Sequence, residues 1–238
     1  MCYANIKETK ENKGVFMNIA LCGIHGAMGK ILKDEIEQSG ENKLVGYFSP
    51  RNGITGQDIS EKIDVIIDFS RPENIDFLLD YALKNKVALV ICTTGYTDEQ
   101  IEKIKKAGEN IRILLSSNTS IGINILRKIA MLISPTMKDF DIEIVEAHHN
   151  KKKDMPSGTA KTLKSDVLEA TGKSDIPVHS LRAGNIVGEH EIVFAKDDEV
   201  IKISHTALSK RIFAVGAIDL SEKLLSKDIG FYDTMELI

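Results

Sequence analysis

The chain alternates short apolar runs with stretches whose apolar positions recur every three or four residues. Strand-like runs stand at 19–22, 44–48, 64–69, 87–92 and 111–115. Helical spacing falls between them, over 28–38, 73–84 and 98–107. In the first of these, Met28, Ile31, Leu32 and Ile36 share one face. The near-continuous hydrophobicity of 64–69 suits a parallel strand covered on both sides, and Pro72 suits the first turn of the helix after it. Repeated strand–helix units at this spacing predict a doubly wound parallel sheet. From about residue 116 the texture changes. A helix is expected over 123–133, then a strand over 142–145 that runs into Glu146, Ala147, His148 and His149. A lysine-rich loop leads to a helix over 159–170, and β-type runs follow at 178–181, 191–195 and 200–205. Strands in such close succession read as a mixed sheet in a second domain, with a boundary near residue 120. A last helix over 212–225 carries Ile218, Leu220, Leu224 and Leu225, which would let it pack back on the first domain.

Composition narrows the function classes. The 238 residues are 42% hydrophobic and 28% charged, the balance of a folded chain. Lys plus Arg total 31 against 35 for Asp plus Glu, a net charge of −4, which argues against a nucleic-acid partner. The longest apolar run, 87–92, falls far short of the roughly 18 residues a membrane span needs. Three scattered cysteines, Cys2, Cys22 and Cys92, give neither a disulfide framework nor a zinc pattern; they point to a reducing, cytoplasmic compartment. Lys7, Glu8, Lys10, Glu11 and Lys13 break up any secretory apolar core. Residues 1–16 are therefore expected to be an N-terminal extension before a start at Met17, with a short ordered arm as the alternative.

Two segments carry candidate chemistry. Gly23-Ile24-His25-Gly26-Ala27-Met28-Gly29 lies between the first strand and first helix, where glycines let a backbone approach a dinucleotide pyrophosphate at a helix N-terminus. The spacing is G-x-x-G-x-x-G, and a plain strand-to-helix turn is its competing explanation. Roughly 20 residues on, where a carboxylate would grip the ribose of NAD, the chain reads Tyr47-Phe48-Ser49-Pro50-Arg51-Asn52. A serine and an arginine there could accept a 2′-phosphate, so NADPH is expected to serve at least as well as NADH.

The second segment is Glu146-Ala147-His148-His149-Asn150-Lys151-Lys152-Lys153-Asp154-Met155-Pro156-Ser157-Gly158-Thr159-Ala160. Adjacent histidines at a strand end should leave on opposite sides, which disfavours a metal clamp. The remaining histidines (His25, His179, His190 and His205) are scattered in the sequence without ligand spacing, so no metal is expected. An acid–base role fits better: a lysine four residues beyond His148 places an ammonium near the imidazole and lowers its affinity for a proton. Ser157 is a candidate cap for the next helix, whose free amides would hold a carboxylate. Lysines, hydroxyls and amides together suit a small dianionic substrate, while Lys151 and Lys153 also read as a solvated turn.

This block resembles the signature of the 4-hydroxy-tetrahydrodipicolinate reductase (dihydrodipicolinate reductase) family. Further matches follow in family order: Gly23, Gly26, Met28 and Gly29; Asp68-Phe69-Ser70; Thr93-Thr94-Gly95; Asn118; Gly122 and Asn124; Arg182 and Gly184; Gly188-Glu189-His190; and Phe213, Ala214, Gly216 and Ala217. The resemblance implies an α/β fold, with a Rossmann-like parallel-sheet cofactor domain (17–120 and 211–238) and an inserted α+β mixed-sheet domain (121–210). The inserted domain would bind substrate and build a homotetramer. The implied reaction is NADPH- or NADH-dependent reduction of a cyclic dicarboxylate on the diaminopimelate route to lysine. By motif, His148 would be the acid/base and Lys152 the proton donor, with His149, Ser157, Gly158 and Thr159 on the substrate. Cofactor contacts would come from Gly23, Ile24, His25, Gly26, Ala27, Met28 and Arg51, from Cys92, Thr93 and Thr94, and from Ser116, Ser117, Asn118 and Thr119. Departures sit at His25, Ala27, Cys92 and Thr119, all on the cofactor side. The rival readings are another two-domain amino-acid dehydrogenase, which would lack the histidine–lysine block, and a catalytically silent NAD(P) sensor.

Overall fold

The computed structural model describes residues 16–238, so residues 1–15 of the expected extension lie outside it. Five strands of the first half, β1 (Asn18–Cys22), β2 (Lys43–Phe48), β3 (Val65–Asp68), β4 (Ala88–Ile91) and β5 (Arg112–Leu115), join a sixth, β10 (Gly230–Tyr232), in one sheet. Every pairing in it is parallel, in the order β10-β5-β4-β3-β1-β2. The near-continuous apolar runs are explained by two cores. Ile19, Leu21, Val65, Ile67, Ala88 and Val90 face one side, where α1 (Ala27–Ser39) and α6 (Arg211–Leu225) cover them. Ala20, Cys22, Ile66, Leu89 and Ile91 face the other, with side chains of α2 (Ile75–Asn85) and α3 (Asp98–Ala107). Period-two alternation, buried on both faces, leaves no polar position to reveal itself.

The second sheet has the order β7-β6-β8-β9, from β6 (Asp141–His148), β7 (Val178–Arg182), β8 (Gly188–Lys196) and β9 (Glu199–Ala207). β6 and β7 are parallel and the other pairs antiparallel. Ile142, Ile144, Ile192 and Phe194 pack beneath α4 (Ile121–Ile133) and α5 (Gly158–Thr171) in a third core.

The elements differ from the sequence reading in three places. The helix expected over 73–84 opens with a 3-10 turn, Pro72–Asn74, and is α-helical only from Ile75. The strand expected over 142–145 continues to His148. β10 and α7 (Thr234–Leu237) follow the last expected helix; at three and four residues they are too short for any periodicity to show.

Candidate active site

In the parallel sheet, strand order reverses between β1 and β3, the place where such folds open a crevice at the carboxyl ends. The glycine turn fills it. Gly23 has φ +93°, and a Cβ there would stand 2.3 Å from the Phe69 carbonyl oxygen, so only glycine fits. The partner segment is fixed from below by buried Asp68, whose carboxylate accepts from the Ser70 amide at 3.1 Å, while that amide also reaches Thr93 Oγ1 at 2.8 Å. Gly26 precedes α1 with no side-chain cap, which leaves first-turn amides free for an anion. A cavity of about 480 Å³ opens beside this turn, lined by Gly23, Ile24, His25 and Gly26, by Ser49, Arg51 and Asn52, and by Arg71. It holds no acidic side chain. A main-chain cradle, an uncapped helix start and two arginines fit the phosphates of a dinucleotide.

A second cavity of about 580 Å³ lies between the two sheets' ends, and Phe69 borders both. Met28, Cys92, Thr94, Ser116, Ser117, Asn118 and Thr119 form one wall; His148, His149, Lys152, Ser157, Gly158 and Thr159 form the other. The walls are tied together where Asn118 Nδ2 donates to Thr159 Oγ1 at 3.0 Å. Thr119 Oγ1 donates to the Phe213 carbonyl at 2.6 Å, which holds α6 against this junction.

The strand alternation rule predicted opposite exits for the paired histidines. The two nevertheless border the same cleft, because β6 ends at His148 and the rule does not reach His149. Lys152 is half-buried and pairs with Asp154 at 2.8 Å, which holds the Asp154 carboxyl below its usual range. Ser157 caps α5 as expected, its Oγ accepting from the Ala160 amide at 3.2 Å. That hydroxyl also meets His190 Nε2 at 3.2 Å, so its hydrogen-bonding is largely committed within the protein.

Behind His148 lies a buried charged network that sequence reading did not assign. Glu146, fully buried, takes Arg182 through both oxygens at 2.7 and 3.0 Å and the Ser157 amide at 3.3 Å. Its Oε2 lies 2.5 Å from His148 Nδ1. Burial alone would raise this carboxyl, but Arg182 and His148 bring it down to about 2. Burial pushes His148 below its ordinary value despite Glu146, with Lys152 and Arg182 adding to the fall. His190, ring to ring with His148 at 5.2 Å, is pushed down by burial to about 4.

The histidines scattered in sequence are thus gathered in space. Register does it: Glu146 stands opposite His190 across β6 and β8, and His190 opposite His205 across β8 and β9. Glu146, His148 and His190 lie close enough together to share a cation, but the Arg182 guanidinium already occupies the positive place beside the carboxylate.

Of the residues singled out from the sequence, Ala27 and Thr93 border neither cavity; the Thr93 hydroxyl is spent on Ser70. Glu146, Arg182, His190, Val187, Lys210 and Phe213 had no role assigned. Arg182, His190 and Phe213 stood among the family matches without a role, and Glu146 also carried a positional signal, two residues before His148 on the same face of one strand.

Two sequence models match the chain, dihydrodipicolinate reductase N-terminus over residues 17–119 and C-terminus over 122–238. The 4-hydroxy-tetrahydrodipicolinate reductase of Brachyspira hyodysenteriae is 41% identical over 229 residues, covering 90% of this chain and 96% of its own. That of an Exiguobacterium species is 39% identical over 238 residues, covering 93% and 95%. Among solved structures, the dipicolinate-bound dihydrodipicolinate reductase of Paenisporosarcina sp. TG-14 superposes with a TM-score of 0.79 at 22% identity, over 94% of this chain and all of that one. At that identity the superposition speaks for the fold.

Proposed function

The chain belongs to the dihydrodipicolinate reductase family, and from that membership we infer that it reduces 4-hydroxy-tetrahydrodipicolinate, by way of dihydrodipicolinate, to tetrahydrodipicolinate in lysine and diaminopimelate biosynthesis. The cofactor is a nicotinamide dinucleotide. The observation that carries the site assignment is the meeting of His148 and Lys152 in one cleft with the ends of the cofactor-type sheet.

When bound, a reduced nicotinamide supplies hydride. Gly23, Ile24, His25, Gly26 and Arg51 would hold the adenosine end, and Met28, Cys92, Thr94 and Ser116 to Thr119 the nicotinamide end. His149, Gly158 and Thr159 would bind the ring carboxylates, with the open amides at the start of α5 acting as anion donors. Lys152 pairs with one carboxylate and steadies the charge that develops as hydride reaches C4 of the substrate ring. The resulting enamine anion takes one proton at the adjacent carbon. Lys152 and His148 deliver it, and solvent restores it to them, so once the 4-hydroxy precursor has lost water to give dihydrodipicolinate, each turnover consumes one hydride and one proton.

NADPH is expected to serve at least as well as NADH. Support comes from Ser49, Arg51 and Arg71 around a cavity with no acidic lining residue. A tetramer completes the reading, supported by Val145, Leu181 and Val200, which are exposed on the sheet face turned away from α4 and α5; a reducing, cytoplasmic compartment rests on the scattered cysteines alone.

The deciding assay follows NAD(P)H oxidation by the pure protein while a condensing synthase generates substrate afresh. Oxidation that starts only with the synthase running supports the reading. None at all leaves a silent NAD(P)-binding protein.

A further inference from the structure

We propose that Glu146 is a positioning residue for this reaction: clamped by Arg182, it holds His148 so that Nδ1–H points into the protein and Nε2 is the ring nitrogen left for the substrate. The inference rests on His148 being the acid/base group.

The geometry is over-determined. Glu146 accepts two bonds from Arg182, one from the Ser157 amide and one from His148, which fills most of what a carboxylate can accept. Arg182 is fixed in turn by donating to the Asp154 carbonyl at 2.8 Å, and it sits opposite His148 in the β6–β7 register. On the other side of the ring, Gly188 leaves Nε2 its space: a Cβ there would stand 3.2 Å away. One face of the imidazole is therefore pinned and the other kept clear.

Charge makes the clamp more than a hinge. The titratable and charged groups around His148, besides Glu146, are Arg182 from β7, His190 from β8 with His205 behind it on β9, His149 and Lys152 with its partner Asp154 in the loop, and Lys210 across the cleft. Asn118 and Thr159 are uncharged. Among the described residues Glu146 is the one anion in direct contact, and with its carboxyl held near 2 it stays ionised at every working pH. It opposes what burial, Lys152 and Arg182 do to the imidazolium. A dicarboxylate arriving at Lys152 would offset part of the lysine's repulsion of the imidazolium, so His148 would gain its proton as substrate binds.

The test is the pH profile of kcat/KM for full-length wild type, Glu146→Gln and His148→Gln, with NADPH and freshly generated substrate. Glu146→Gln should move the limb that reports the loss of the His148 proton to lower pH by at least about one unit. It should also lower kcat at pH 8 by roughly tenfold or more, since protonated imidazole falls tenfold per unit, while KM for NADPH is unchanged. A wild-type limb in Glu146→Gln, with His148→Gln inactive, overturns the inference and spares the role of His148. An active His148→Gln overturns both. Should Glu146→Gln fail to fold, Glu146→Asp decides. Keeping the charge but drawing it back, it should retain the limb and lose kcat about fivefold or more, a small part of the roughly hundredfold or greater effect of general acid–base catalysis. Wild-type kcat in that variant overturns the proposal.

Discussion

Around the glycine turn the cavity wall is main chain and exposed side chain: His25, Gly26, Arg51 and Asn52 are all exposed, and the tight fit is between Gly23 and the Phe69 carbonyl. Around His148 the wall is buried and ionic, with Glu146 at 0%, His190 at 5% and His148 at 8% exposure. The first cavity offers backbone shape, which would suit a cofactor common to many proteins. The second offers charges held out of water, where each is strengthened by low local dielectric and costly to leave unpaired. Changes in one region should therefore register as binding or folding defects, and in the other as altered turnover and pH response.

The largest effect expected from this contrast is on acid stability. Burial lowers His190 from 6.5 to about 4, so between those values the unfolded chain binds a proton that the folded chain refuses. Stability should be flat above pH 6.5 and fall by up to about 3 kcal/mol as pH drops to 4. Denaturant titrations across that window should show a shallower slope in His190→Gln. Equal slopes would sever the network from the stability curve.

Next, Lys152→Ala should lose turnover by at least about a hundredfold while NADPH binding, followed by fluorescence titration, stays intact. Near-normal turnover would remove Lys152 from the chemistry. On the other side, Gly23→Ala should cost about 2 kcal/mol through backbone strain and the clash with Phe69, and weaken both cofactors alike. A thermal melt matching wild type would mean the turn yields more easily than its geometry implies. Smallest, Arg51→Ala should raise KM for NADPH about tenfold, the scale of one charge-assisted contact, and leave NADH nearly unmoved. Equal losses for both cofactors would place Arg51 on a part they share.

The two regions also differ in how far they could be read in advance. The glycine turn is contiguous, and its meaning comes from standing between one strand and one helix, so Gly23, Gly26 and Met28 were legible from residues 19–38. His148, Lys152 and Ser157 lie within one loop and could be read in the same way. Arg182 and His190 could not: each lies more than thirty residues from Glu146 and is near it only through strand register. The close commitment of Ser157 to His190 was equally invisible, though its capping role was plain.

Sequence alone determined the parallel sheet, the second mixed sheet, the family and the loop that carries His148, Lys152 and Ser157, because hydrophobic period and contiguous motifs are local properties. Tertiary structure decided that His190 and His205 stand in one row with Glu146, that the paired histidines share a cleft, and that β10 closes the edge of the first sheet. The physical reason is pairing register. Antiparallel and parallel neighbours are chosen by the packing of whole faces, so which side chains meet across a sheet is fixed only when the third core beneath α4 and α5 is assembled.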